Sequence, residues 1–269
     1  MGVLADLPCA ASRVDDLEDG SIVVEKLSPG PFNLKLPVMT VPLPSTPSKN
    51  DKIMLSLYYR WALQGLSALG FVHSHSVYLR TFSTQQIWLR PDYSLALTGF
   101  ISADITGDTT DYGEGGLVTD ESMPYDEGAL HGSVKEDLFY WATFVWRLMT
   151  NDYTDQSLSV RTHCWNPVCP VGGCEAFDDK EEVFFDRLDQ GLFQELEETR
   201  LGSVLVKAWK EKYTSAEEVA GEIRSIAEKM GIRVSGDEVE LDEDWEDVFE
   251  VVQTGPLPRD RSLKFKSSS

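Results

Sequence analysis

Apolar positions in this chain gather into a few periodic runs separated by stretches with no period. The clearest run begins at Leu55 and steps by four and three through Tyr59, Ala62, Leu66 and Leu69, which predicts a helix with an apolar stripe leading into His73-Ser74-His75. Two short apolar runs follow before Ile101 and read as a pair of strands. Ser133 then opens a second helix, because Ser133-x-x-Glu136 has the spacing of a capping box just ahead of an apolar run. That helix extends to about Thr150. Leu138, Trp141, Val145 and Leu148 make one stripe, and Phe139, Ala142, Trp146 and Met149 make the opposite side apolar too, so burial all round is expected.

Further helical periods occur at Val183, Phe184 and Leu188, at Leu201, Val204, Leu205, Ala208 and Trp209, and at Val219, Ile223, Ile226 and Met230. The last has a capping box at Ser215-x-x-Glu218 and a stop at Gly231. Upstream, Ser12 to Val14 and Ser21 to Leu27 read as two short strands joined by an acidic turn from Asp15 to Gly20. The fold class that follows is mainly α, of α+β type.

Two segments carry no such period. Pro29 to Pro47 holds six of the thirteen prolines and cannot form an uninterrupted helix, so residues 28–50 read as a hinge, a linker or an extended docking strip. Pro44 and Pro47 give one PxxP spacing there, a pattern also common in loops. Residues 102–126, rich in Asp, Gly and Thr, read as a surface loop. Near the end, Asp237 to Glu250 is acidic with an apolar edge at Trp245, Val248, Phe249 and Val252, which predicts a docking helix. Residues 259–269 are basic and predict a disordered tail.

Charge narrows the partners. With 45 acidic against 24 basic residues, the formal charge is -21, which disfavours nucleic acid and anionic membranes and favours a protein partner with a basic face. Apolar residues make up 42% of the chain, the proportion of an ordinary soluble globule. The first residues contain no secretory signal, no run approaches a membrane span, and Asp6 stands where myristoylation of Gly2 would want Ser or Thr. A cytoplasmic or nuclear location is expected, where the four cysteines would stay reduced. His163, Cys164, Cys169 and Cys174 lie close together in HCWNPVCPVGGC and could hold zinc, although C-x4-C-x4-C is not a standard knuckle; the alternative is an inserted loop whose thiols pack as apolar groups.

The order of helix, loop, strand pair, loop and buried helix from Leu57 onward resembles the catalytic segment of the protein kinases. On that resemblance Leu79-Arg80-Thr81 falls at His-Arg-Asp, Ser83 at the loop lysine, Gln86 at the loop asparagine and Gly99-Phe100-Ile101 at Asp-Phe-Gly. It implies a kinase-like C-terminal lobe whose chemistry is lost, since threonine is no base near neutral pH and glycine offers no metal ligand. Asp137 matches the aspartate that, in the family, bonds backbone amides of the catalytic loop. Arg80 would form a structural ion pair with the acidic loop or meet a phosphate on Thr109, Thr110, Tyr112, Thr119 or Ser122. Met123-Pro124-Tyr125 stands near Ala-Pro-Glu, and Tyr213 near the arginine that would pair with it.

The resemblance divides the chain into small-lobe strands at 1–27, the proline-rich stretch at 28–50, the helical large lobe at 51–236 and a tail at 237–269. Only 20 residues precede SIVVEKL, so the glycine-rich loop, strand lysine and partner glutamate are expected to be absent. The function implied is a catalytically inactive kinase-like scaffold or regulator with no cofactor, binding a partner through the exposed inter-lobe face or residues 237–252. Two alternatives stay open: an unconventional ATP-dependent kinase using Asp104 or Asp108 as metal ligand, and a zinc-stapled interaction module.

Overall fold

The structure is a computed structural model that describes residues 13–16, 22–24, 26–40, 42–84, 86–100, 103–105, 132–150, 196–258 and 260–267. Within these residues the fold mixes helices with small antiparallel sheets. Strands β1 (Arg13–Asp16) and β2 (Ile22–Val24) form a hairpin. Strand β3 (Gly30–Pro31) joins β5 (Ile87–Leu89) and β6 (Leu95–Leu97) in a three-stranded sheet, and β4 (Val77–Tyr78) pairs with β7 (Asp104–Ile105).

Helix α1 (Lys49–Ser74) starts six residues before the apolar period suggests. Ser48 caps it: its Oγ accepts the Asp51 amide at 3.0 Å, while Asp51 Oδ2 accepts the Ser48 amide at 3.2 Å. Asp51 does here what glutamate does in the usual box. The single stripe expected for α1 is a correction, because the helix is buried on every side from Met54 to Leu66, with Arg60 and Gln64 included. Arg60 and Gln64 are tolerated there because they satisfy polar groups of neighbouring elements: Arg60 donates to Asp92, and Gln64 accepts the Leu95 amide.

Helix α2 (Val134–Thr150) is buried all round as the two opposed stripes imply. Ser133 Oγ accepts the Glu136 amide at 3.1 Å. Trp141 donates its indole N–H to the Ala62 carbonyl at 3.0 Å, and Trp209 donates to Thr143 Oγ1 at 3.1 Å, so both large rings pack without stranding a donor. Gly65 makes the close approach of α1 possible, since a Cβ there would stand 2.9 Å from Phe82 and 3.3 Å from Trp141. A 3-10 turn (Glu198–Arg200) leads to α3 (Gly202–Trp209) and then α4 (Ala216–Lys229). Ser215 caps α4 and Gly231, at φ +73°, ends it in the left-handed conformation that favours glycine. The helical period at 183–188 lies outside the described residues.

The proline-rich stretch at 28–50 packs as an arm and does not span as a linker. Phe32, Leu34, Leu36 and Met39 are buried in the main core, with Phe32 edge-on to Trp61 at 4.8 Å. Its amides find partners without a helix: Thr40 donates to Asp51 and Leu43 to Glu197, each at 2.8 Å. Prolines forbid the helix, but they leave the apolar side chains between them free to bury.

The end of the chain departs from expectation in the same direction. Strands β8 (Val234–Ser235) and β9 (Glu238–Val239) form a tight hairpin. The docking helix expected at 237–250 is a single turn, α5 (Trp245–Val248), running straight into strand β10 (Phe249–Gln253). Trp245, Val248 and Phe249 of the expected apolar edge are buried against this chain's own core, while Val252 is half-buried. The basic tail is a strand as well: β11 (Arg261–Phe265) pairs with β10 in register, Phe249 to Phe265 and Val251 to Leu263. Both faces of the strand are partly covered. Ser262 and Leu263 are buried while Arg261 donates to the carbonyls of Pro29 and Pro31. Lys35 then bridges the arm to β11, with Leu263 N–H donating to the Lys35 carbonyl at 2.9 Å.

Candidate functional site

The loop between β4 and β5 carries most of the candidate positions, and it hangs from the start of α2. Asp137 is fully buried. Its Oδ2 accepts the Leu79 amide at 2.9 Å and its Oδ1 accepts the Arg80 amide at 2.7 Å. A third partner comes from the end of α1, where His73 Nε2 stands 2.8 Å from Asp137 Oδ2. A carboxylate this deep in the protein stays only because donors satisfy it, and three converge here from two separate elements.

That grip fixes the backbone as well as the charge. Arg80 sits at φ 59°, a left-handed conformation costly for a residue with a side chain, and Asp137 holds its amide there. Gly132 lies against the same residue: a Cβ on it would be 2.9 Å from Arg80 Cγ and 2.6 Å from Tyr78 Cβ. The Gly132 amide donates to Asp104 Oδ2 at 3.0 Å, so Asp104 ties β7 to the approach of α2. Phe82, two residues on, is buried edge-on to Phe144 of α2 at 5.4 Å.

Gln86 turns back on its own loop. Its Oε1 accepts the Ser83 amide at 3.0 Å and the Ser83 hydroxyl at 3.3 Å, and its backbone carbonyl accepts both the amide and the hydroxyl of Thr98. The stem of Gln86 lies against Gly99, where a Cβ would meet Gln86 Cγ at 2.6 Å. Phe100 follows, half-buried against the core. Thus Leu79, Arg80, Ser83, Gln86, Gly99 and Asp137 belong to one constellation. Its organisation is by backbone amides, and residues 79–86 and 98–100 include no carboxylate.

Other candidates fall elsewhere. His163, Cys164, Cys169 and Cys174 lie outside the described residues, as do Asp108, the acidic loop with its Thr, Ser and Tyr acceptors, and Met123-Pro124-Tyr125. Among the described residues no group of three His, Cys, Asp or Glu side chains could hold a metal ion, and no helix is long and apolar enough to cross a membrane. Tyr213 donates its hydroxyl to Glu222 Oε2 at 2.7 Å, and Lys207 meets the other oxygen at 2.6 Å.

No protein-family model matches this chain. No curated protein matches it either.

Two features escaped the sequence reading. The first is Arg60, 2% exposed in the middle of α1. Its guanidinium donates to the Asp92 carbonyl at 2.5 Å and to Asp92 Oδ2 at 2.8 Å, lies 2.5 Å from Glu238 Oε1, and sits 5.1 Å over the Trp245 ring. One cation thus joins α1 to the β5–β6 turn, β9 and α5. Burial raises the Asp92 pKa, but hydrogen bonds from Ser94 and Arg60 outweigh it and hold the carboxyl below its ordinary value. The second is a groove of about 750 Å³ between the arm, the start of α1 and the loop before α5. Pro44 and Pro47 line it beside Lys52, Ser56 and Met230, so the PxxP pair faces the protein's own groove. An arginine at a lone position in an apolar helix carries no periodic signal, and a groove built from four distant segments carries none at all.

Proposed function

We propose that this chain is a catalytically inactive relative of the protein kinases that acts as a protein-interaction scaffold or regulator. The observation that carries the reading is the grip of Asp137, on the first turn of a buried helix, upon the amides of Leu79 and Arg80. Kinases need that loop rigid because its aspartate must accept the proton of the attacking hydroxyl while an asparagine and a second aspartate hold magnesium. In this chain the support is present and Thr81, Gln86 and Gly99 occupy the three working positions.

The amide oxygen of Gln86 is engaged by Ser83, and Gly99 presents no side chain, so neither offers a ligand for an octahedral magnesium ion. What such a lobe retains is a rigid surface. A charge of -21 suits it to a partner with a basic face.

The test is thermal stability of the purified protein with magnesium and ATP. A nucleotide held at 100 times its dissociation constant adds about 2.7 kcal/mol, which raises the midpoint of a domain this size by several degrees. No shift is expected. A saturable shift of that size that depends on magnesium removes the reading.

A further inference from the structure

The arm and α1 are joined by a short bow whose position in the fold the scaffold reading leaves unused. Leu43 is pinned at one end by Glu197 and Ser48 is fixed at the other as the cap of α1. Between them Pro44, Ser45 and Thr46 are exposed and the backbone is irregular. Thr46 precedes Pro47, and the proline ring biases its predecessor toward extended backbone. Lys49 follows three residues after Thr46 and is 75% exposed, meeting Glu243 at 3.2 Å in a surface contact that solvent and other charges readily exchange.

We propose that Thr46 is a phosphorylation site for a proline-directed serine/threonine kinase, one that requires proline directly after its acceptor and favours a base two residues beyond that. In the transfer, Thr46 Oγ1 bonds the γ-phosphorus of ATP, the bond from that phosphorus to the bridging oxygen breaks, ADP leaves and the hydroxyl proton passes to the modifying kinase.

The chain has one other hydroxyl–proline pair, Ser28-Pro29, and it is the poorer substrate on two counts. Position 31, three residues on, is proline and not a base. Arg261 also binds the carbonyls of Pro29 and Pro31, and Gly30–Pro31 is paired in the sheet, so the residues a kinase must grip are engaged by the fold.

The consequence is local and electrostatic. A phosphate of charge about -1.5 to -2 at Thr46 would stand two residues before the cap of α1, beside the positive end of the helix and near Lys49 and Lys52. It would also stand at the lip of the groove that Pro44, Ser45, Pro47 and Lys52 line. Modification therefore changes the charge that a ligand or partner approaching this groove would meet.

The test incubates the full chain with a proline-directed kinase and magnesium–ATP and locates phosphate by peptide mass spectrometry. Phosphate is expected at Thr46, retained in Ser28→Ala and lost in Thr46→Ala, with Lys49→Ala slowing the initial rate several-fold. A synthetic peptide spanning residues 40–53 serves as the accessibility control. No incorporation, incorporation at Ser28 in place of Thr46, or labelling of the peptide but not of the folded protein overturns the proposal.

Discussion

A Cβ added to Gly99 would stand 2.6 Å from Gln86 Cγ and 3.0 Å from Gln86 Cβ, so these two residues share one volume. The neighbour in the way includes the root of the side chain and cannot simply swing aside. Gly99→Ala is therefore expected to cost about 1–3 kcal/mol, the range for overpacking a filled site. Gln86→Ser should recover part of that loss when combined with it. Urea unfolding of both single variants and the double variant measures the coupling. Additive losses would mean that the two residues do not share the space.

Asp137→Ala strands the amides of Leu79 and Arg80 and removes the partner of His73. Each buried group left unsatisfied costs about 1–3 kcal/mol, so a loss of at least about 3 kcal/mol is expected from chemical denaturation. Asp137→Asn keeps one acceptor and should fall between the two. Hydrogen exchange at Leu79 and Arg80 should quicken in both variants. Unchanged protection there would show that Asp137 does not hold the loop.

Arg60 makes a different prediction. Arg60→Met keeps the stem that packs in α1 and removes the charge that gathers Asp92, Glu238 and Trp245. Its carboxylate partners are each 41% exposed and water can take the place of the guanidinium, so the loss should be about 1–2 kcal/mol, below that of a fully buried pair. Limited proteolysis should then cut first within residues 238–248. Cleavage that begins elsewhere at the wild-type rate would deny Arg60 this role.

Acid should expose the same tie. In Asp51, Asp92, Glu197 and Glu222 burial pushes the pKa up, yet hydrogen bonds, joined in the last three by a nearby cation, win and hold each below its ordinary value of 3.8 or 4.5. A carboxyl depressed in the folded state contributes stability that is present above its unfolded pKa and disappears as pH falls through the folded one. Relief of repulsion among the other acidic residues acts in the opposite sense. Comparing wild type with Asp92→Asn removes that common term. The stability difference between them should be constant above about pH 5 and shrink below about pH 4. A difference that widens on acidification has the wrong sign.

What could be read from the sequence depended on whether the signal was local. Ser133 and Ser215 announce their helices because cap and apolar period lie within one turn of each other. Helix α2 shows its all-round burial in two opposed stripes. Residues 245–252 misled for a physical reason: Trp245, Val248, Phe249 and Val252 satisfy a helical spacing, while the actual turn-then-strand is decided by pairing with β11 and by packing on Tyr93 and Trp245. The proline-rich stretch likewise reveals what it cannot form, whereas the burial of Phe32 and Met39 depends on α1 and α2. At the candidate site the residue types at 79–86 and 99, with no carboxylate among them, were visible one by one. The meeting of Gln86 with Gly99 and the approach of His73 to Asp137 were not, since each depends on the path of the chain between them.

The bridge between the arm and β11 has a bearing on how the molecule is made. Arg261 reaches the Pro29 carbonyl across 232 positions of sequence, and Leu263 closes on Lys35. During synthesis at roughly 5–20 residues per second, the arm would wait ten seconds or more, by that rate, for its partner strand to leave the ribosome. Phe32 can be covered earlier, once Trp61 and Phe144 have emerged, but the carbonyls of Pro29, Pro31 and Lys35 must wait on water for the strand that closes them.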